Sequence, residues 1–419
     1  MPAIDDLEAA VDAYERERIE SNSETSPSRA RALLARLRAL VPPAADDAAS
    51  APSDKTFDFN RYATRVIALR VAYAGWNYHG FASQGARGKP TVEQSVFDAL
   101  ARTRLVASSD DVFKTCDYAR CGRTDRGVSG LGQIITLRVR SNGGESDDVE
   151  REIDYVGTLN RTLPDDVRVL GWKPVEDDLN ARFDCKWREY KYFFGFVEGL
   201  DLQAMDDAAR SFEGEHDFRN FCKMDAANVK SYRRRVHECR IERDDEGGEM
   251  GMHYIRVRGS AFLWHQVRCM ASVLFMVGLG REPVSVVADL LDLERTPRKP
   301  HYAMAPDAAL LLWRSGYDPA RLDVSDMLIS ERALAQVETH VAQQLHECRL
   351  RAAMWAETWE RVRDARRERG GDTDALARDL AAVNALGSVG VARASHVRLR
   401  DRPTEDTLDE RLAKLAAAN

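Results

Sequence analysis

Apolar residues at every second position, in short runs separated by helix-like segments, constrain this chain more than any other feature. Ile67, Leu69, Val71 and Tyr73 alternate with Ala68, Arg70 and Ala72, the period of a strand with one buried face. Ile135, Leu137 and Val139 repeat the pattern, and Val167 to Trp172 reads as a third strand. Between them, Thr91 and Gln94 form a capping-box pattern ahead of a helix whose buried stripe is Val92, Val96, Leu100 and Leu105. Glu150 to Asn160 reads as a second helix. Strand, helix, strand, helix, strand with one-sided burial predicts an α+β arrangement with helices on one sheet face.

The theme then repeats. Tyr190, Tyr192, Phe194 and Phe196 alternate with Lys191, Phe193 and Gly195, and Asp201 to Glu213 is helical in character. Val236 to Arg243 and His253 to Arg258 read as strands joined by an acidic loop around Gly247-Gly248. Phe262 to Gly280 is an apolar helix that must be buried, and Leu310 to Trp313 supplies a last strand. The expected organisation is a first half over 61–175 and a second over 176–318, with their sheets side by side and a cleft between them. Residues 1–60 read as an extension carrying one amphipathic helix with Leu33, Leu37 and Leu40 on its stripe, otherwise linker. Residues 319–419 read as a helical extension. Its long helix, Glu331 to Arg369, carries Leu334, Val337, Val341, Leu345, Trp355, Trp359 and Val362 as its apolar stripe and stops at Gly370-Gly371. Helices over Thr373 to Leu386 and Thr404 to Ala418 follow.

Composition narrows the class. At 419 residues the chain exceeds one ordinary core, and 44% hydrophobic with 31% charged residues is a globular balance. No apolar run reaches transmembrane length and no signal-like start appears, which predicts a cytoplasmic or nuclear protein with no membrane partner. The seven cysteines are scattered without a C-x-x-C pair, so reduced structural thiols are expected and no metal site. A net charge of −7 argues against nonspecific nucleic-acid binding by the whole surface, while leaving room for a local basic face.

One stretch stands apart from the strand pattern: Arg120-Cys121-Gly122-Arg123-Thr124-Asp125-Arg126-Gly127-Val128. A short carboxylate sits in a turn bounded by two glycines, among three arginines. The glycines permit positive φ or close approach, and the arginines are expected to hold Asp125 ionised and to offer forks to phosphate. A salt-bridged surface turn is the bland reading of such a segment, and a site is the other.

This nonapeptide resembles the signature of the TruA-like tRNA pseudouridine synthases, whose invariant aspartate is catalytic. Two further segments support the resemblance. Ala181-Arg182-Phe183-Asp184-Cys185-Lys186-Trp187-Arg188-Glu189-Tyr190 is similar to the family's second motif, which implies that Tyr190 stacks on the target base and helps remove its C5 proton. Gly259 to Met270 is similar to the third, which implies that Leu263 packs in the pocket and Arg268 pairs with Asp125. On physical grounds alone, Arg268 in an apolar helix calls for a carboxylate. The resemblance runs from about Arg65 to Trp313 and implies two ferredoxin-like, RRM-like α+β halves joined into an extended, mostly antiparallel sheet with a central RNA-binding cleft.

What it implies for function is isomerisation of uridine to pseudouridine in tRNA with no cofactor and no metal, with Asp125 as the nucleophile or as the stabiliser of positive charge developing at C1′. Substrate contacts are expected from Arg123 and Arg126 in the turn, from His79, Phe81 and Gln84 in the early Gly-aromatic-Gln segment, and from Arg219 and Lys223. Segments at Gly80 to Gln84 and Arg219 to Asp225 look most like the eukaryotic branch acting on positions 38 and 39 of the anticodon stem-loop, working as a homodimer. Departures are Arg126 where lysine is common, Gly130-Leu131-Gly132 for Ala-Phe-Gly, and Ala305-Pro306-Asp307-Ala308-Ala309-Leu310 for Ala-Pro-Ala-x-Gly-Leu. A sister synthase acting on other tRNA or messenger positions, and a tRNA-binding chaperone with secondary catalysis, are the alternatives.

Overall fold

The alternating runs become strands of one sheet. The structure, a computed structural model, describes residues 57–84, 89–107, 115–143, 151–195, 197–243, 252–371, 386–387 and 396–418. The helix expected around Leu33 to Leu40, the loop at Gly247-Gly248, Phe196 and nearly all of the helix expected over 373–386 lie outside the described residues. The chain divides into Met1–Asp58 and Phe59–Asn419, and the second unit carries every element below.

Strand β1 (Ala63–Tyr73) leads through a Gly-aromatic turn to α1 (Val92–Arg102), where the Thr91 hydroxyl accepts the Gln94 N–H at 3.4 Å as the capping pattern predicts. The short β2 (Ala119–Arg120) precedes β3 (Ser129–Ser141). Helix α2 (Tyr155–Asn160) starts later than the sequence suggests, because the Asp154 carboxylate caps it by accepting the Gly157 N–H at 2.9 Å. Strand β4 (Val167–Pro174) follows.

The second set comprises β5 (Trp187–Phe194), α3 (Leu202–Arg210), β6 (Gly214–Asp217), β7 (Arg233–Arg243), β8 (His253–Gly259), α4 (Gln266–Gly278), α5 (Val286–Leu291) and β9 (Leu310–Gly316). Helix α4 is shorter than the apolar run over 262–280. His265 takes φ 63°, in the left-handed region, and cannot continue the helix backward. Phe262, Leu263 and Trp264 are thereby left in a loop.

The nine strands form one sheet in the order β4-β1-β3-β9-β5-β8-β7-β6, with β2 on β3. Every pairing is antiparallel except β3 with β9, which run parallel at Ser129↔Leu311 and Gly130↔Leu312. The last strand in sequence therefore sits at the middle of the sheet. The fold is a mixed α+β layer structure with a large, mostly antiparallel sheet. One core packs α1 and α2 on β1, β3 and β4; another packs α3, α4 and α5 on β5, β7 and β8, with Phe275 of α4 edge-on to Tyr192 and Phe194.

Two helices close the chain: α6 (Glu331–Glu368) and α7 (Leu408–Ala418). Gly370, at φ 75°, ends the long one. Only Ala333 and Val337 of α6 are buried, where its first turns meet α2 and β4. The rest of the expected stripe, from Val341 through Leu345, Trp355, Trp359 and Val362, is exposed, because the helix runs on past the elements it packs against. No helix among the described residues is long and apolar enough to cross a membrane.

Candidate active site

The Asp125 turn links β2 to β3 and is pinned from three directions. Gln133 of β3 donates to the Gly122 carbonyl at 2.8 Å, and the Tyr73 hydroxyl meets Thr124 Oγ1 at 2.8 Å. The Phe81 N–H donates to Thr124 O at 3.1 Å, and the Gly127 N–H to Tyr78 O at 3.2 Å. Gly80 is required here: at φ 96°, a Cβ on it would lie 2.9 Å from Thr124 O. Gly127 takes φ 78°, and a Cβ there would meet the Asp307 carboxyl carbon at 2.9 Å. Gly122 has ordinary φ and open space around its Cβ position.

The three arginines do not hold Asp125 ionised, which corrects the expectation from sequence. Arg120 turns to the buried Glu93 of α1, which also accepts the Tyr118 hydroxyl at 2.5 Å. Arg123 and Arg126 point outward and are exposed. Burial instead dominates, and it raises the Asp125 carboxyl to about 6. The positive charge of Arg268, a hydrogen bond from Trp264 and the charge of Lys223 act the other way, while Asp307 reinforces burial.

Around this carboxylate the structure gathers most of the remaining candidates. Tyr190 of β5 is half-buried, edge-on to Phe262 at 5.2 Å, and burial holds its phenol well above the ordinary range. Leu263 is buried in the loop before α4, where its N–H donates to the Gln266 side chain at 2.8 Å. His265 Nε2 lies 3.7 Å from Asp125, but burial and the nearby Arg268 and Lys223 push the ring down to about 4. It is neutral at working pH, so this approach is not an ion pair.

Arg268 sits in α4 as expected, yet its ion pair is with Asp307, at 4.0 Å, and its Nε donates to Ala305 O at 2.8 Å. Asp125 feels the guanidinium through space rather than in a direct pair, because the Asp307 carboxylate, brought in by the segment before β9, takes the contact. Lys223 is exposed beside the site, with Nζ 4.1 Å from the Trp264 ring centroid.

Other candidates fall elsewhere. Phe81, expected at the RNA face, is fully buried against Tyr73 at 5.5 Å and supports the turn from below. Gln84 is exposed and donates to His79 O at 3.2 Å, and His79 is half-buried. Arg219, expected to contact RNA, is held by Asp217 through two contacts, at 2.7 and 3.0 Å.

Sequence reasoning missed three residues. Asp307 was visible only as a departure from a motif. Trp264 lay inside the expected helix. Arg188 is the junction of the site: one nitrogen donates to Cys121 O at 2.7 Å and Arg182 O at 3.0 Å, the other to Ser260 O at 2.9 Å. A single guanidinium thus ties together three segments that are distant in sequence, and no spacing rule announces it. Cys121 and Cys185 lie under it with their sulfurs 3.5 Å apart, both as free thiols. Among the described residues, no cluster of three or more His, Cys, Asp or Glu side chains is placed to hold a metal ion.

Chemically, the arrangement offers one raised carboxylate, an aromatic ring and an apolar floor, with cations around the rim. Comparison with known proteins agrees in kind. A family profile described as tRNA pseudouridine synthase matches residues 208–318. The chain is 44% identical over 279 residues to the tRNA pseudouridine(38/39) synthase of Bos taurus, covering 62% of this chain and 57% of that protein. It is 43% identical over 268 residues to the protein of the same name from Saccharomyces cerevisiae, covering 62% and 59%. It is 33% identical over 288 residues to tRNA pseudouridine synthase A of Methanothrix thermoacetophila, covering 67% of this chain and 96% of that protein. The chain spans somewhat under three fifths of the length of the first two relatives.

Proposed function

Because this chain belongs to the tRNA pseudouridine synthase family, we propose that it isomerises uridine to pseudouridine at positions 38 and 39 of the tRNA anticodon stem-loop. The observation that carries the chemistry is Asp125 itself: a half-buried carboxylate, raised to about 6 by desolvation, in a pinned turn whose charge is felt at Tyr190. The reaction breaks the C1′–N1 bond, turns the uracil and joins C1′ to C5. C5 gives up a proton and N1 gains one, so nothing is consumed.

In this reading Asp125, as carboxylate, attacks C1′ or stabilises the positive charge that develops there. The uridine must leave its stack to reach it. Tyr190 receives the flipped base by stacking, and Leu263 packs against it. Burial keeps the Tyr190 phenol protonated, so of the two groups only Asp125 is in its basic form near neutral pH to take the C5 proton, a departure from the proton-removing role expected of Tyr190. Arg268 steadies the carboxylate from a distance while anchored to Ala305 O. Arg123, Arg126 and Lys223, all exposed, take phosphates of the RNA.

We further read residues 61–175 and 176–318 as two RRM-like halves, supported by the separate cores on either side of the β3–β9 seam. A homodimer in cytoplasm or nucleus completes the reading; light scattering and imaging of the tagged chain test those two points.

The decisive experiment is tritium release from tRNA carrying 5-tritiated uridine, with sequencing of the product. Wild type is expected to release tritium at positions 38 and 39, and Asp125→Asn to release none while binding tRNA about as well. Equal release by both proteins would remove Asp125 from the chemistry.

A further inference from the structure

Phe183 is 79% exposed, the highest value of any large hydrophobic side chain among the described residues. Its exposure is built rather than incidental. The Asn180 side-chain oxygen accepts the backbone N–H groups of Arg182 and Phe183, at 3.0 and 3.2 Å. The Asp184 N–H donates to Asn180 O at 3.0 Å, and Asp184 is itself held by Arg321 at 2.8 Å. The turn that presents the ring is therefore locked at both ends.

It is also tied to the candidate site. Arg188 donates from one nitrogen to both Arg182 O and Cys121 O, so the Phe183 turn and the Asp125 turn share a single guanidinium. The Arg182 guanidinium lies 5.7 Å from the Phe183 ring centroid. Because that one nitrogen holds the Cys121 and Arg182 carbonyls together, Arg123, two residues past Cys121, stands near Arg182, and burial, then the like charges of Arg120 and Arg182, pull it below its ordinary pKa.

Several arginines around these turns are neutralised: Arg120 by Glu93, Arg268 by Asp307, Arg321 by three carboxylates. Arg123 and Arg182, both exposed, make no ion pair among the described residues, and neither does Arg126. In a chain of net charge −7, two adjacent unneutralised guanidinium groups beside a fixed, exposed aromatic ring match one ligand chemistry. Planar forks take phosphate oxygens, and an aromatic face takes a base of any identity.

We propose that Phe183, Arg182 and Arg123 form a second nucleotide subsite, which stacks an unpaired RNA base near the uridine that Asp125 acts on and grips its phosphate. This rests on the reading of the Asp125 site as a tRNA uridine isomerase. The subsite sets how the loop strand is held during flipping, and it takes no part in bond making.

The test uses the full chain in two assays: tritium release from 5-tritiated tRNA, and anisotropy of a fluorescent anticodon stem-loop RNA. Phe183→Ala is expected to raise KM and Kd about tenfold with kcat within about twofold, and Phe183→Trp to restore both. Arg182→Gln is expected to weaken binding and to flatten its dependence on salt. Unchanged KM and Kd in Phe183→Ala would overturn the subsite. An equal loss in Phe183→Ala and Phe183→Trp would overturn it too, since a structural defect would then be the cause. Absence of tritium release from wild type would sink the isomerase reading alone, and the anisotropy result would still decide the subsite.

Discussion

At Asp125 burial and neighbouring charge pull in opposite directions, and burial wins, leaving the carboxyl at about 6 rather than near 3.8. Two consequences follow from the sign. The chemistry needs the carboxylate, so the single-turnover rate is expected to fall about tenfold per pH unit below about 6 and to level off above it. A flat profile down to about pH 5 would show that Asp125 is ionised more easily than its surroundings suggest. For stability the direction reverses. The folded protein holds this proton more tightly than the unfolded chain, so the group costs stability as pH rises through the window from 3.8 to about 6, and the full cost stands above it. Asp125→Asn is therefore expected to raise Tm near neutral pH, by about 1–3 kcal/mol of stability, with the gain vanishing in acid. The turn itself was legible in the sequence, from its glycines and its carboxylate. Its electrostatics were not, because Arg120 finds Glu93 on α1 and Arg268 finds Asp307 before β9, partners that only the folded sheet brings near.

Strands and helices reported their presence through periodicity and withheld their neighbours. Ile67 to Tyr73 and Ile135 to Val139 alternate visibly, and both became strands over that stretch. The two-residue β2 is too short to show a period, and β6 carries no apolar alternation. Nothing in Leu310 to Trp313 states that β9 returns to lie against β3. That seam matters most for the site, since Ser129 follows the Asp125 turn and Leu310 follows Asp307. It is close enough that a Cβ on Gly132 would sit 2.6 Å from Arg314 Cα and Trp313 O, both backbone atoms. Gly132→Ala is expected to force β3 and β9 apart, costing about 1–3 kcal/mol and lowering kcat, because the two turns hang from these strands. Gly122→Ala, with nothing within 4 Å of its Cβ position, is expected to leave Tm unchanged. Equal melting temperatures for Gly132→Ala and wild type would mean that the seam can open without cost.

Across the whole chain, the C-terminal segment belongs to the folded body that carries the site. Leu399 is fully buried in the core around α4, the His301 N–H donates to Pro403 O at 2.9 Å, and His396 meets Glu282 at 2.7 Å. The link to the site runs through Lys299. Its buried ammonium donates to Cys222 O at 3.0 Å and pairs with Glu405 at 3.1 Å. Cys222 precedes Lys223, whose N–H donates to Trp264 O at 2.9 Å, and Trp264 hydrogen-bonds to Asp125. Removing the Glu405 carboxylate would leave Lys299 as a buried charge with one neutral acceptor, which is costlier than never having had the pair. Glu405 is itself partly exposed, so the loss is expected to be about 1–3 kcal/mol rather than the larger value of a fully buried pair. Glu405→Ala should lower Tm accordingly, and Lys299→Met with Glu405→Ala should recover part of that loss by removing the stranded charge. If the double variant is no more stable than Glu405→Ala alone, the cost lies in lost packing of the segment and not in the charge on Lys299.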